Sequence, residues 1–239
     1  MKDLAIIFAG GKGKRMNNYS QKPKHLIKIN ELPIIEHIIQ ALQKSKKVAH
    51  ILVITGYLSH YFNYLEKKYS HLTLFYNENY ASPLISRLWV DLNKFWRKNQ
   101  NWLLITGDMI LYENYFQNNI PLNTMAGFYH LNKKKEKMPF YRLNSNNYIV
   151  DVKLTCEQNN WTLGEFSRID NKIIKAIIRA NQKKDKEKEA LLCYESLIKY
   201  SIKCKMLLKI HVLKWQGPTD IDNSENLRKV RKIFSKRVI

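Results

Sequence analysis

The sequence predicts an α/β fold, with a mainly parallel central sheet and helices on both of its faces. Three observations lead there. The first half alternates short, wholly apolar runs with segments whose apolar residues repeat at helical spacing. These runs are four or five residues long, as strands buried on both faces require. Hydrophobic residues make up 45% of the 239 residues, enough for a substantial core.

Residues 4–8 (LAIIF) form the first buried strand. Pro33 then opens a helix in which Ile34, Ile35, Ile38, Ile39 and Leu42 share one face. Residues 51–54 (ILVI) are a second strand, stopped by Gly56, and a helix with Leu58, Tyr61, Phe62 and Leu65 on one side follows. Residues 72–76 (LTLFY) are a third strand. Leu84, Ile85, Leu88, Trp89, Leu92, Phe95 and Trp96 repeat the helical spacing, and residues 102–105 (WLLI) are a fourth strand that runs into Thr106-Gly107-Asp108. Beyond Met125 the order is less regular. Strand-like runs fall at 126–129, 148–154 and 207–212, and helices are expected over 172–180 and 187–200. A last helix starts near Ser224, with Ser224 or Asn223 as its N-cap and Leu227, Val230 and Ile233 facing inward. With no repeat and no linker rich in Pro, Gly or Ser, the chain reads as a single domain over 1–239. Within it, residues 1–125 carry the regular strand–helix alternation and 126–239 the less regular C-terminal part.

Charge narrows the partners. Forty-one Lys and Arg against 20 Asp and Glu leave +21, which suits a polyanionic partner: nucleic acid, an anionic surface or phosphate-rich substrates. Solvated lysine faces would produce the same balance, since the lysines are scattered. The densest runs, 133–137 and 183–188, are interrupted by Glu or Asp. A basic nucleic-acid-binding protein is the rival of another class, but the basic residues form no stripe and no binding motif, so no stable nucleic-acid partner is expected. Cys156, Cys193 and Cys204 form no CxxC pair, which fits a reducing compartment. No apolar run approaches the roughly 18–20 residues of a membrane span, and residues 4–9 are too short for a signal-peptide core. The expected location is cytoplasmic. The sequence sets no oligomeric state, and a homo-oligomer is compatible with it.

The chemistry concentrates in three segments. The first, Ala9-Gly10-Gly11-Lys12-Gly13-Lys14-Arg15-Met16, leaves the first strand. Glycines there let the backbone approach phosphates and point N–H groups at them, while Lys14 and Arg15 add positive charge. It is neither a Walker A loop nor a dinucleotide fingerprint, since Met16 stands at the third glycine position. The second segment is Lys22-Pro23-Lys24-His25-Leu26, from which Lys24 can return to a phosphate site. The third comprises carboxylates. Asp108 follows the fourth strand at its carboxyl end, where open α/β sheets bind ligands, and Asp220 and Asp222 precede the last helix. Carboxylates beside bound phosphates suit a hard divalent cation.

LAIIFAGGKGKRM, KPKHL, LLITGDM and TDIDNSENL stand in the order found in nucleotidyltransferases with the Rossmann-like, glycosyltransferase-A-like fold. The chain resembles the branch containing phosphocholine cytidylyltransferases and sugar-1-phosphate nucleotidyltransferases. The resemblance implies a transferase that joins a nucleotide, cytidylyl from CTP foremost, to a small phosphorylated acceptor such as phosphocholine, with release of pyrophosphate. UTP, dTTP or GTP with a sugar 1-phosphate is the alternative. It assigns Ala9, Gly10, Gly11, Gly13, Lys14 and Arg15 to the nucleotide, makes Arg15, Lys24 and Asp108 the catalytic candidates, and gives Mg²⁺ to Asp108 with Asp222 or Asp220. The base then lies near residues 77–86, where Asn79, Ser82 and Ser86 can read its edges. Ala81-Ser82-Pro83 departs from the Asn-rich stretch of the phosphocholine branch and leaves base and acceptor open. For a choline-like headgroup, Glu165, Tyr194, Glu195 and Trp215 are the acceptor candidates, with Tyr80, Tyr141 and Trp161 as further aromatics. The product would feed surface-polysaccharide or lipid decoration in a microbe.

Overall fold

The computed structural model describes residues 2–16, 21–81, 85–129, 140–153, 161–182, 193–203, 205–212, 218 and 220–235. In chain order the elements begin with β1 (Asp3–Phe8), β2 (Lys28–Ile29), β3 (Leu32–Pro33), α1 (Ile34–Ser45) and β4 (Val48–Thr55). They continue with α2 (Tyr64–Lys68), β5 (Leu72–Tyr76), α3 (Ile85–Asp91), β6 (Trp102–Thr106), β7 (Thr124–Tyr129) and β8 (Phe140–Leu143). The remainder are β9 (Ile149–Lys153), β10 (Trp161–Ile169), α4 (Asn171–Gln182), α5 (Cys193–Lys203), β11 (Lys209–Val212) and α6 (Ser224–Ser235). The fold class is the expected one, a mainly parallel central sheet with helices. Among the described residues no helix is long and apolar enough to cross a membrane.

The chain divides into two compact units. The first comprises Met1–Ala81, Leu103–Asn119 and Gln216–Ile239. Its strands lie in the order β6-β1-β4-β5. β1 and β4 pair in parallel from Leu4↔His50 to Phe8↔Ile54, and β4 and β5 from Ile51↔Leu72 to Thr55↔Tyr76. Ala5, Ile6, Ile7, Leu52, Val53, Leu104 and Ile105 are buried, as the unbroken apolar runs require. α1 buries Ile34, Ile35, Ile38, Ile39 and Leu42, the face its periodicity marked. It also buries Glu36, whose carboxylate accepts hydrogen bonds from Tyr64 Oη (2.8 Å), Lys68 Nζ (2.6 Å) and the Tyr69 hydroxyl.

The second unit comprises Ser82–Trp102 and Ile120–Trp215. Its pairing is mixed. β10 is antiparallel to β7 and to β8, β8 is antiparallel to β9, and β11 is parallel to β7. α4 buries Ile173, Ile174, Ile177 and Ile178 and packs against α3, while α5 packs on β9.

Several element boundaries differ from the sequence expectation. The helix expected through Leu58, Tyr61, Phe62 and Leu65 is a 3₁₀ turn over Ser59–Phe62 followed by the short α2. Leu58 sits at φ 53°, in the left-handed region, so no α-helix can run through it. The helix after β5 likewise gives way to a 3₁₀ turn over Leu92–Phe95. Only part of the helix expected over 187–200 falls within the described residues, as α5. Of the two candidate caps of α6 it is Asn223 that serves, since its side-chain oxygen accepts the Asn226 N–H at 2.8 Å. The β2–β3 hairpin, β8 and β10 were not anticipated. The hairpin strands are two residues each, and β10 carries Gly164 and Glu165 in place of an apolar run.

Candidate active site

The first unit brings the three chemical segments together. β1 ends at Phe8, and its extension stays tied to the sheet because Ala9 N donates to Ile54 O (2.8 Å). The loop then closes in a 3₁₀ turn over Lys14–Met16, with Met16 N donating to Gly13 O at 2.8 Å. Gly13 takes φ +57°, a conformation that disfavours a side chain. Met16 is buried in an apolar cluster with Ile27, Ile29, Ile34, Ile110, Tyr112, Ile221, Leu227, Val230 and Phe234. This one cluster anchors the glycine loop, the segment after Lys24 and the start of α6. Ile221, fully buried in it, lies between Asp220 and Asp222. With Ile221 fully buried, the two flanking aspartates are held in a fixed place.

Asp108 follows β6 and is itself buried. One carboxylate oxygen each of Asp108, Asp220 and Asp222 lies within 4.8 Å of the others, so the three could hold one metal ion. Lys24 enters this cluster. Its Nζ donates to Asp222 Oδ1 at 2.9 Å and makes a close ion pair with Asp108. Arg15 Nη2 reaches the other oxygen, Asp222 Oδ2, at 2.7 Å. The Lys24 side chain is 15% exposed and the Arg15 side chain 74%, so only the Lys24 pair is shielded from solvent.

The electrostatics follow from that placement. Burial works against the charge of Lys24, but Asp108 and Asp222 outweigh it and hold its pKa well above the ordinary lysine value. Burial likewise opposes ionisation of Asp108, and the adjacent Lys24 reverses the balance and keeps its pKa low. Among the described residues Asp220 makes no such ion pair. Burial, then the charges of Asp108 and Asp222, push it up to about 7. Among the described residues, two cations thus face three carboxylates. Three carboxylates that offer oxygen donors alone would suit a hard divalent cation.

His25, next to Lys24, lies at the back of the site. Burial pushes its pKa down to about 4, against the pull of Asp108, so the ring is neutral at physiological pH. Its Nδ1 has no hydrogen-bond partner among the described residues. A second group gathers where β4 and β5 end. The Tyr80 ring lies 6.5 Å from Tyr57 and 6.5 Å from Tyr76, with Lys12 Nζ 5.9 Å from its centroid. Lys12, Tyr57 and Tyr76 were not among the sequence candidates. Their signal was present, a third cation in the glycine loop and aromatics just past two strand ends, but aromatics there read equally well as core.

Of the other candidates, Asn79 lies in the turn after β5, its N–H bonded to Asn77 Oδ1 at 3.0 Å. Glu165 is half-buried on β10. Ser86 lies on α3, and Tyr194 and Glu195 on α5, but their side chains fall outside the described residues, as do those of Tyr141 and Trp161. Ser82 and Trp215 lie outside them altogether.

Comparison with known proteins agrees with this geometry. Residues 5–119 match the MobA-like NTP transferase domain. The chain is 28% identical over 240 residues to a choline-phosphate cytidylyltransferase of Streptococcus pneumoniae, covering 96% of this chain and 97% of that protein. The solved structure of the CTP:phosphocholine cytidylyltransferase of Streptococcus pneumoniae superposes with a TM-score of 0.78 at 24% identity, over 98% of this chain and 99% of that one. A putative glucose-1-phosphate thymidylyltransferase of Bacillus anthracis gives 0.74 at 15% identity, over 99% and 97%. At these identities the structural matches speak for the fold.

Proposed function

We propose that this nucleotidyltransferase transfers the cytidylyl group of CTP to a small phosphorylated alcohol or amine, phosphocholine being the first candidate, and releases pyrophosphate. The convergence of Asp108, Asp220 and Asp222 on Lys24 beside the glycine loop carries the reading. The similarity to a choline-phosphate cytidylyltransferase along almost the whole chain supports the choice of CTP and of the acceptor. The reaction would take place in the cytoplasm, where CTP is available, and would serve surface-polysaccharide or lipid decoration.

In this reading Ala9, Gly10, Gly11 and Gly13 receive the triphosphate on backbone N–H groups, and Lys14, Arg15 and Lys24 neutralise it. Asp108 with Asp222 or Asp220 holds Mg²⁺, which when bound offsets triphosphate charge and stabilises the leaving pyrophosphate. The acceptor phosphate needs no strong base, because its second pKa is about 6. One of its oxygens bonds to the α-phosphorus as the bond to the bridging oxygen breaks in line, and pyrophosphate leaves with the electron pair. Positioning and charge therefore dominate the barrier. Asn79, Ser82 and Ser86 are assigned to the base, and Glu165, Tyr194, Glu195 and Trp215 to the acceptor.

The test is pyrophosphate release with each nucleoside triphosphate against phosphocholine, phosphoethanolamine and sugar 1-phosphates. CTP with a phospho-amine should lead. Turnover of UTP, dTTP or GTP with a sugar 1-phosphate and none of CTP would replace this reading with the sugar-nucleotide one, which the fold shared with the thymidylyltransferase structure also allows.

A further inference from the structure

We propose that Lys24 is a resident counter-cation of the carboxylate cluster, which keeps a divalent cation out until a triphosphate draws the lysine away. The inference rests on the nucleotidyl-transfer reading. Lys24 Nζ satisfies Asp108 and one oxygen of Asp222, and Arg15 takes the other oxygen of Asp222. These belong to the carboxylates a divalent cation would need. A dication bonded to the same oxygens at about 2.1 Å would lie within a few ångströms of the ammonium, and the two would repel strongly in a poorly solvated site. Metal and Lys24 therefore exclude one another on this cluster unless a further anion is present.

The stem of Lys24 supplies the route out. A methyl group added at Gly13 would lie 3.4, 3.5 and 3.6 Å from Lys24 Cγ, Cδ and Cβ. The aliphatic stem thus runs along the glycine loop while its head turns into the carboxylates. Rotation about the outer bonds of the side chain moves Nζ from carboxylate oxygens to phosphate oxygens on that loop, with the backbone in place. A bound triphosphate provides both the replacement partner for Lys24 and the negative charge that favours the dication. Metal and triphosphate affinities are then positively coupled.

The measurement is Mn²⁺ binding without nucleotide, by calorimetry and by the free-ion paramagnetic resonance signal, so that no turnover is read. Lys24→Met should bind Mn²⁺ at least tenfold more tightly than the unaltered protein, and Lys24→Arg should not. Equal Mn²⁺ affinity in the unaltered protein and Lys24→Met overturns the inference. If Lys24→Met does not fold, the ¹⁵N signal of the Lys24 ammonium in the unaltered protein decides. It should persist with Mn²⁺ alone and shift when tripolyphosphate is added, whereas broadening by Mn²⁺ alone overturns the inference. A protein with the expected Mn²⁺ behaviour that releases pyrophosphate from no triphosphate loses the transfer reading and keeps this one. A protein that turns over CTP but binds Mn²⁺ alone as tightly as Lys24→Met loses only this one.

Discussion

At the scale of single residues, the site is a problem of charge. Asp108, Asp220 and Asp222 place three carboxylates where, among the described residues, two cations pair with them, and burial together with the charges of Asp108 and Asp222 raises the pKa of Asp220. Asp108 is the most demanding of the three, because it is both buried and paired to Lys24. Asp108→Asn keeps its shape and removes its charge. Turnover should fall by roughly 10²–10³, the scale of one lost electrostatic contact in a transition state, while the melting temperature stays within a few degrees. Steady-state rates beside a thermal melt check it, and near-normal turnover would remove Asp108 from the proposed metal site. Gly107 precedes it for a steric reason. An added Cβ would meet Phe8 O at 2.8 Å and His25 Cδ2 at 2.9 Å. Gly107→Ala must therefore push Asp108 away from Lys24, and kcat should drop in a protein that still folds, as circular dichroism would show.

At the scale of elements, two features can be tested separately. Ile221 holds the segment before α6 in the apolar cluster, with an aspartate on either side. Ile221→Ala should cost about 2–5 kcal/mol of stability through the cavity it leaves. It should also raise the Mg²⁺ concentration needed for half-maximal rate, because Asp220 and Asp222 lose their common anchor. Urea unfolding and a Mg²⁺ titration of initial rates give the two readouts. The other feature is Glu36 on α1. Burial works against its charge, but the bonds from Lys68, Tyr69 and Tyr64 outweigh it and hold its pKa below the usual value. A carboxylate depressed in the folded state contributes stability that is fully present above the unfolded pKa, about 4.3. That contribution is lost as the pH falls through the folded value. Glu36→Gln should flatten the fall in stability below pH 4.3, measured as unfolding free energy against pH. A slope equal to that of the unaltered protein would mean that the pairing contributes nothing.

At the scale of the whole molecule, the net charge of +21 acts in two directions. It repels itself in the folded state and attracts a triphosphate, and added salt screens both. Raising NaCl from about 50 to about 300 mM should raise the melting temperature by a few degrees and raise KM for CTP several-fold. A KM that does not respond to salt would show that nucleotide binding depends on short contacts alone. Much of the architecture was legible in the sequence. β1, β4 and β6 carry unbroken apolar runs, and α1 and α4 repeat at helical spacing, because a strand or helix buried on a sheet must carry that pattern whatever surrounds it, while β5, half-buried, holds Thr73 within its run. The mixed half was less legible. β8 and β10 carry Arg142, Gly164 and Glu165 among their residues, and Leu58 breaks a periodic helix by its backbone angle, which no apolar spacing reveals. The candidate residues could be picked out from the sequence too, because glycines after a strand, a lysine in a stiff segment and an aspartate at a strand end are chemical types in order along the chain. Their mutual placement was not. That Asp220 and Asp222 meet Asp108 from more than a hundred residues away, and that Lys24 lies between them, depends on one apolar cluster packing Met16, Ile27 and Ile221 together. Contacts so distant in sequence are decided only when the core closes.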